Sequence, residues 1–174
     1  EGTVAQAKTY RITVLSERLL PLEYNKTGVF YDNPSQFAIN RKFPKPEFTL
    51  KQDDRFLEIT TKYFSLSYEK EKNFDAGKLT PMANLKIQLN GTDKSWYVHN
   101  AEVKTLNGLN TSEDGDPKNQ RFSKSLYSLD GYASFNDSNT YLYNASGNLI
   151  PREQNYMDIY LFMYGNDFEE ALKD

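Results

Sequence analysis

The sequence predicts an all-β domain, a large two-sheet antiparallel β-sandwich. Three observations carry that expectation. The chain holds 13 Tyr, 11 Phe and 1 Trp, and aromatic and β-branched side chains suit a pleated, half-buried surface. Stretch after stretch alternates apolar and polar residues with period two. Turn residues punctuate these stretches, and a helical pattern emerges only in residues 166–174.

The elements follow in order. "TYRITVL" (9–15) places Tyr10, Ile12 and Val14 on one face and Thr9, Arg11 and Thr13 on the other, the pattern of a strand with one wet side. Ser16-Glu17 then makes a short hairpin connection to "RLLPLEY" (18–24). Pro21 implies an edge strand or a bulge there, because proline cannot donate to a ladder. "NKTG" reads as a turn, and "QFAINRKF" (36–43) as a further strand closed by "PKP". "EFTLKQ" (47–52), "RFLEITT" (55–61) and "YFSLSYEK" (63–70) form a predicted meander. "NLKIQLN" (84–90) and "SWYVHN" (95–100) form another pair across "GTDK", with Leu85, Ile87 and Leu89 in clean alternation.

Residues 107–124 have no periodicity and read as a long functional or mobile loop. "SLYSLDGYASFNDS" (125–138) then reads as strand, turn and strand, with Asp130-Gly131 as the turn dipeptide. "TYLYN" (140–144), the turn "ASGNL" and a long buried strand "YMDIYLFMYG" (156–165) complete the β pattern. "NDFEEALKD" (166–174) carries a capping-box pattern, with Phe168, Ala171 and Leu172 on one stripe. So short a helix is not stable alone. It reads as the start of something larger.

With 174 residues, the chain can bury a full core as one domain. It has no Cys, which removes disulfides and thiolate chemistry. His99 is the only histidine, so a multi-His metal site within the chain is excluded. The charge of −3 is well mixed, and no basic stripe supports nucleic-acid binding. No apolar run reaches the length of a membrane-spanning helix. The opening "EGTVAQAKTY" lacks an initiator Met and an apolar signal core, so the chain reads as part of a longer gene product or as the remainder after a removed tag.

Carboxylates are the one plausible source of acid–base chemistry. They cluster at Glu113, Asp114 and Asp116, with Asp130 and Asp137 downstream. "EDGDPKN" fails as a calcium loop, having no Gly at the sixth position and no closing Glu. Trp96 and His99 read as packed strand residues. The five Asn-x-Ser/Thr sequons read as accidents of an Asn-rich composition like that of a protein from an AT-rich bacterial genome.

Several ordered motifs carry a resemblance. The stretch "SLYSLDGYASFNDS" is similar to a family pattern of Gly-Leu-Leu-Ser-Arg-Asp-Gly-Trp-Ala, two apolar residues and Asp-Asp-Ser. Asp130-Gly131, Ala133 and Asp137-Ser138 match, while Leu129, Tyr132 and Asn136 replace Arg, Trp and Asp. "RITVLSERLLPLEYNKTGVFYDNPSQFAINRKFP" resembles that family's opening, with its Phe-x-Asp-x-Pro-Ser-Gln and Asn-Arg-x-Phe-Pro. "DIYLFMYGNDFEEALKD" resembles its passage from the last strand toward a catalytic barrel. From about residue 8 to 174 the chain thus resembles the N-terminal β-sandwich domain of glycoside hydrolase family 31, the α-glucosidase and α-xylosidase family.

The resemblance implies a galactose mutarotase-like sandwich over 8–165, with 166–174 leading into a (β/α)8 barrel outside this chain. The family's catalytic aspartates sit on that barrel, and nothing here matches their motif. The resemblance therefore implies a non-catalytic domain that packs on its own barrel and helps shape a pocket for an α-linked oligosaccharide, with no cofactor and no metal. The rim candidates are Asp114, Asp116, Asp130, Tyr132 and Asp137. Cut away from its barrel, such a domain is expected to leave the Phe168–Leu172 stripe partly uncovered, to self-associate, and to show no glycosidase activity. Two alternatives stand beside it. One is a stand-alone carbohydrate-binding sandwich with Trp96 and Tyr97 or Tyr132 as its platform. The other is a bacterial surface or adhesion domain without a sugar site.

Overall fold

The computed structural model describes residues 3–35, 45–75, 84–98, 105–108, 123–128 and 130–166. Among them the chain forms strands alone: β1 (Thr3–Gln6), β2 (Tyr10–Thr13), β3 (Leu19–Tyr24), β4 (Thr49–Gln52), β5 (Phe56–Thr60), β6 (Phe64–Glu69), β7 (Leu85–Leu89), β8 (Ser95–Trp96), β9 (Thr105–Gly108), β10 (Ser123–Ser128), β11 (Tyr132–Asn136), β12 (Leu142–Tyr143), β13 (Leu149–Ile150) and β14 (Met157–Met163). Two five-stranded antiparallel sheets dominate, in the orders β1-β2-β3-β14-β11 and β4-β5-β6-β7-β8. The pairs β9–β10 and β12–β13 stand as two-stranded ribbons. The predicted all-β sandwich is the observed architecture.

Alternation builds the core. One face of the first sheet presents Tyr10, Ile12, Leu20, Leu22, Ile159, Leu161 and Met163, and one face of the second presents Leu57, Ile59, Phe64, Leu66, Leu85, Ile87 and Leu89. All belong to one buried cluster that also takes in Val14 and Trp96. At one end Tyr68 packs edge-on to Tyr10, with centroids 4.9 Å apart, and to Phe74 at 5.2 Å. Burial holds the Tyr68 hydroxyl well above the usual phenol range, and its proton goes to the Lys72 carbonyl at 2.6 Å. The β4–β8 sheet is the predicted meander, and its outer face carries Glu58, Thr60, Ser65, Ser67, Lys86 and Gln88 in contact with solvent.

The outer face of the first sheet departs from expectation. The side of β2 that reads as wet is buried, with Arg11 only 8% exposed. Residues 25–35 and 137–156 lie over it. Ser35 bridges to Leu142, Tyr143 donates its amide to the Pro34 carbonyl at 2.9 Å, and Tyr31 meets Tyr156 edge-on at 5.2 Å. The first sheet is therefore sandwiched on both sides.

Three further expectations are corrected. The strand holding Pro21 is interior, between β2 and β14. It tolerates the proline because its ladder with β2 runs only from Tyr10↔Tyr24 to Ile12↔Leu22, leaving Pro21 paired on one side with Tyr160. The stretch 107–124 is not structureless throughout: Asn107 and Gly108 pair with Lys124 and Ser123. The strands on either side of Asp130-Gly131 do not form a ladder with each other, since β10 pairs with β9 and β11 with β14. The strand expected at 36–43 and the helix with its Phe168–Leu172 stripe lie outside the described residues.

Gly131 explains why the turn dipeptide stands where it does. Its φ is +82°, and a Cβ added there would lie 2.7 Å from the Gly165 carbonyl oxygen and 2.8 Å from its Cα. The Gly131 carbonyl in turn accepts from the amides of Tyr164 and Gly165, both within 2.9 Å. The end of β14 is thereby docked on the start of β11. Gly131→Ala is expected to cost about 3 kcal/mol, combining backbone strain with a backbone clash. Gly147→Ala, at φ +78° with open space around it, is expected to cost about 1 kcal/mol. Urea unfolding midpoints of the two variants check the contrast.

Candidate functional site

The buried outer face of the first sheet holds a row of charges. In an antiparallel ladder, directly paired residues point to the same side. Arg11 pairs with Glu23, and Glu23 with Asp158. One step further, the Asp137 amide donates to the Asp158 carbonyl at 2.7 Å. Register alone thus lines up Arg11, Glu23, Asp158 and Asp137 across the sheet.

The row is closed by side-chain bonds. Arg11 grips Glu23 with two nitrogens, Nε to Oε2 at 2.5 Å and Nη2 to Oε1 at 2.8 Å. It also reaches Asp32 at 2.5 Å and the Tyr31 carbonyl at 3.1 Å, and the Phe30 ring lies against its guanidinium. The Tyr156 hydroxyl donates to Glu23. At the other end Arg152 donates to Asp158 Oδ2 at 2.5 Å, to Asp137 Oδ2 at 2.8 Å and to the Thr140 carbonyl at 3.2 Å. Thr140 donates its hydroxyl to Asp137 Oδ1 at 2.5 Å. The Arg152 side chain is 3% exposed and those of its two aspartates 0% and 4%.

Three buried carboxylates, Glu23, Asp137 and Asp158, face two buried guanidiniums, Arg11 and Arg152. The excess falls on Asp158, whose Oδ1 is buried without a hydrogen-bond partner. Burial and the neighbouring Glu23 charge raise the Asp158 carboxyl to about 6, against the opposing pull of Arg152. Arg11 is disfavoured by burial, yet Glu23 and Asp32 hold it charged well above the ordinary guanidinium range. Burial and the Glu23 charge raise the Tyr156 phenol, which therefore remains a donor.

Beside this row lies a surface cavity of about 320 Å³ between 138–141 and 151–155. Arg152 forms part of its wall, and Tyr141 at its edge is half exposed. On one side Glu153 accepts from Asn25 and Thr27 at 3.1 and 2.9 Å, bonds that hold its carboxyl below the usual range.

The rim candidates separate. Asp130 sits on the turn before β11, partly exposed, 3.6 Å from the Lys94 ammonium. Tyr132 is 4% exposed within the core, and its carbonyl accepts from the Tyr164 hydroxyl at 3.1 Å. Asp137 is fully buried in the charge row. Asp114, Asp116, Glu113 and His99 lie outside the described residues. Trp96 is 4% exposed, so neither Trp96 nor Tyr132 offers the stacking platform that a stand-alone sugar-binding module was expected to need. Among the described residues no group of three or more His, Cys, Asp or Glu is arranged to hold a metal. Sequence reasoning missed Arg11, Glu23, Arg152 and Asp158 as partners. The available signal was parity: in three strongly apolar strands a single charge falls on the face away from the core.

No family model matches the chain, and no curated protein sequence matches it. Among solved structures it is similar to a GH31 dextranase of Flavobacterium johnsoniae. The match to a mutant of that enzyme complexed with isomaltotriose has a TM-score of 0.49 at 16% identity, covering 99% of this chain and 27% of that one. The match to the dextranase complexed with glucose has a TM-score of 0.41 at 14% identity, with the same two coverages of 99% and 27%. The chain thus spans about a quarter of the length of these enzymes.

The charge row has a pH signature. A carboxyl raised from 3.8 to about 6 in the fold contributes stability that is fully present below pH 3.8 and lost as pH rises through 6. The loss for Asp158 is on the order of 3 kcal/mol. Relative to Asp158→Asn, the wild-type urea midpoint is expected to fall between pH 4 and pH 7. Parallel unfolding curves for the two proteins across that range check it.

Proposed function

We propose that this chain is the non-catalytic N-terminal domain of a retaining α-glycoside hydrolase of the α-glucosidase or α-xylosidase type. It packs on a catalytic (β/α)8 barrel and helps shape the pocket for an α-linked oligosaccharide. The observation that supports this reading is that its resembling motifs lie side by side in one sheet. β3 belongs to the opening motif, β11 to "SLYSLDGYASFNDS", and β14 lies largely in "DIYLFMYGNDFEEALKD". β14 pairs with β3 on one side and with β11 on the other. Stretches more than a hundred residues apart in sequence thus form neighbouring strands.

In this role the rim residues divide. Asp130, with Asp114 and Asp116 beyond β9, supplies hydrogen-bonding groups at the pocket edge. Tyr132 and Asp137 hold that edge from beneath, one through the core and the other through Arg152. Bond breaking belongs to the barrel, and the buried acids described above are held by arginines, not arranged as an acid and a nucleophile facing a cleft.

The test compares two proteins. The 174-residue chain is expected to leave aryl α-glucosides and α-xylosides intact. The longer gene product, extended by roughly the 250 residues of a barrel, is expected to hydrolyse at least one of them. Turnover by the short chain that disappears in Asp130→Asn would contradict the reading, as would a continuation lacking a barrel.

A further inference from the structure

We propose that the cavity between 138–141 and 151–155 is a binding site for a short neutral saccharide, carried by this domain itself. The proposal goes beyond a supporting role for the domain and rests on that role only for the choice of probes.

The Arg152 cation at the cavity is already engaged. Arg152 directs its three nitrogens to Thr140, Asp137 and Asp158. Glu153 accepts from Asn25 and Thr27. An anionic ligand would meet no available cation here and would face the exposed Glu153 carboxylate, whereas a hydroxyl group can donate to that carboxylate. The remaining wall is neutral and polar: the amides of Asn139, Gln154 and Asn155 and the phenol of Tyr141. Each amide offers donors and an acceptor together, which suits hydroxyl groups that both give and take hydrogen bonds. The Tyr141 ring, half exposed, offers an apolar face with a polar tip, which suits the C–H face of a sugar.

The frame of the site is braced before any ligand arrives. Its walls are tied to the sheet by Arg152 and by Ser138 Oγ accepting from the Asp158 amide at 2.9 Å, and to the turn after β3 by Glu153. Asn155 holds a left-handed φ of 68°, placing the wall between Glu153 and the anchored Tyr156. Asparagine tolerates that conformation better than most side chains. A site already in its bound shape avoids an ordering cost on binding. At about 320 Å³ the cavity falls at the small end of the range for ligand pockets, roughly 300–1,000 Å³.

Titration of the 174-residue chain by saturation-transfer NMR with isomaltotriose, maltotriose and xylotriose tests this, with galacturonate as the charged comparison. Saturable binding of at least one trisaccharide is expected, with little or none for galacturonate. Tyr141→Ala should weaken it about tenfold, the loss of one aromatic contact, at an unchanged unfolding midpoint. Tyr141→Phe should weaken it less. Phe56→Ala, removing an exposed ring on the far sheet, should leave it unchanged. Absence of binding by all three trisaccharides, equal binding by Tyr141→Ala, or tighter binding of galacturonate would overturn the proposal. None of those results touches the glycosidase reading, which is read by hydrolysis in the longer protein. An inactive longer protein would conversely leave a Tyr141-dependent site standing.

Discussion

Arg152, buried between Asp137 and Asp158, is the contact on which the outer half of this domain depends. Its three bonds join three parts of the chain: the end of β11, the start of β14 and the Thr140 turn. Buried ion pairs are poor net stabilisers, because desolvation offsets most of their attraction. Removing one partner is another matter, since it strands a charge in low dielectric. The arrangement is therefore better understood as a constraint on geometry than as a source of stability. Register follows from it. A slip of β14 by one residue would carry Asp158 into the apolar core and set Ile159 among the buried charges in its place.

The two sheets solve the problem of their outer faces differently. The β4–β8 sheet leaves Glu58, Ser67 and Gln88 to water, as a meander with one wet side can. The β1–β11 sheet covers its outer face with irregular chain, and irregular chain brings polar backbone that needs partners. Charged side chains supply them: Arg11 takes the Tyr31 carbonyl and Arg152 that of Thr140. The polar third layer thus follows from covering a sheet with loops. Its by-product is a braced, polar wall around the cavity beside Tyr141.

Much of this was legible in the sequence. Period-two alternation located Tyr10, Ile12, Val14, Leu85, Ile87, Leu89, Ile159 and Leu161, and all are buried. The meander and the β12–β13 turn at 144–148 were equally readable, because both are local in sequence. The charge row was not. Alternation shows that Arg11 lies opposite Tyr10 and Ile12, but not whether water or another layer meets it. Arg11 and Arg152 each find partners nearby in sequence, but the two clusters join into one row only where β14 lies beside β3, more than a hundred residues away. Pro21 misled for a similar reason: a proline rule concerns a strand's neighbours, and the ladder from β2 happens to end one residue short of it. In the stretch at 125–138, Gly131 answers to Gly165 for close approach, Tyr132 to the core and Asp137 to Arg152, none of them a partner within the stretch itself.

Amide hydrogen exchange in Arg152→Met tests the central claim most directly. The methionine keeps most of the bulk and removes the charge. If Arg152 ties the outer layer to the sheet, the amides of Asp137, Thr140, Tyr143 and Asn144, all hydrogen-bonded within that layer, will lose about a hundredfold or more of their protection, as expected for stranding buried carboxylates. The β5–β6 ladder will keep its protection. Unchanged exchange at those four amides, or an equal loss in both sheets, would contradict the account.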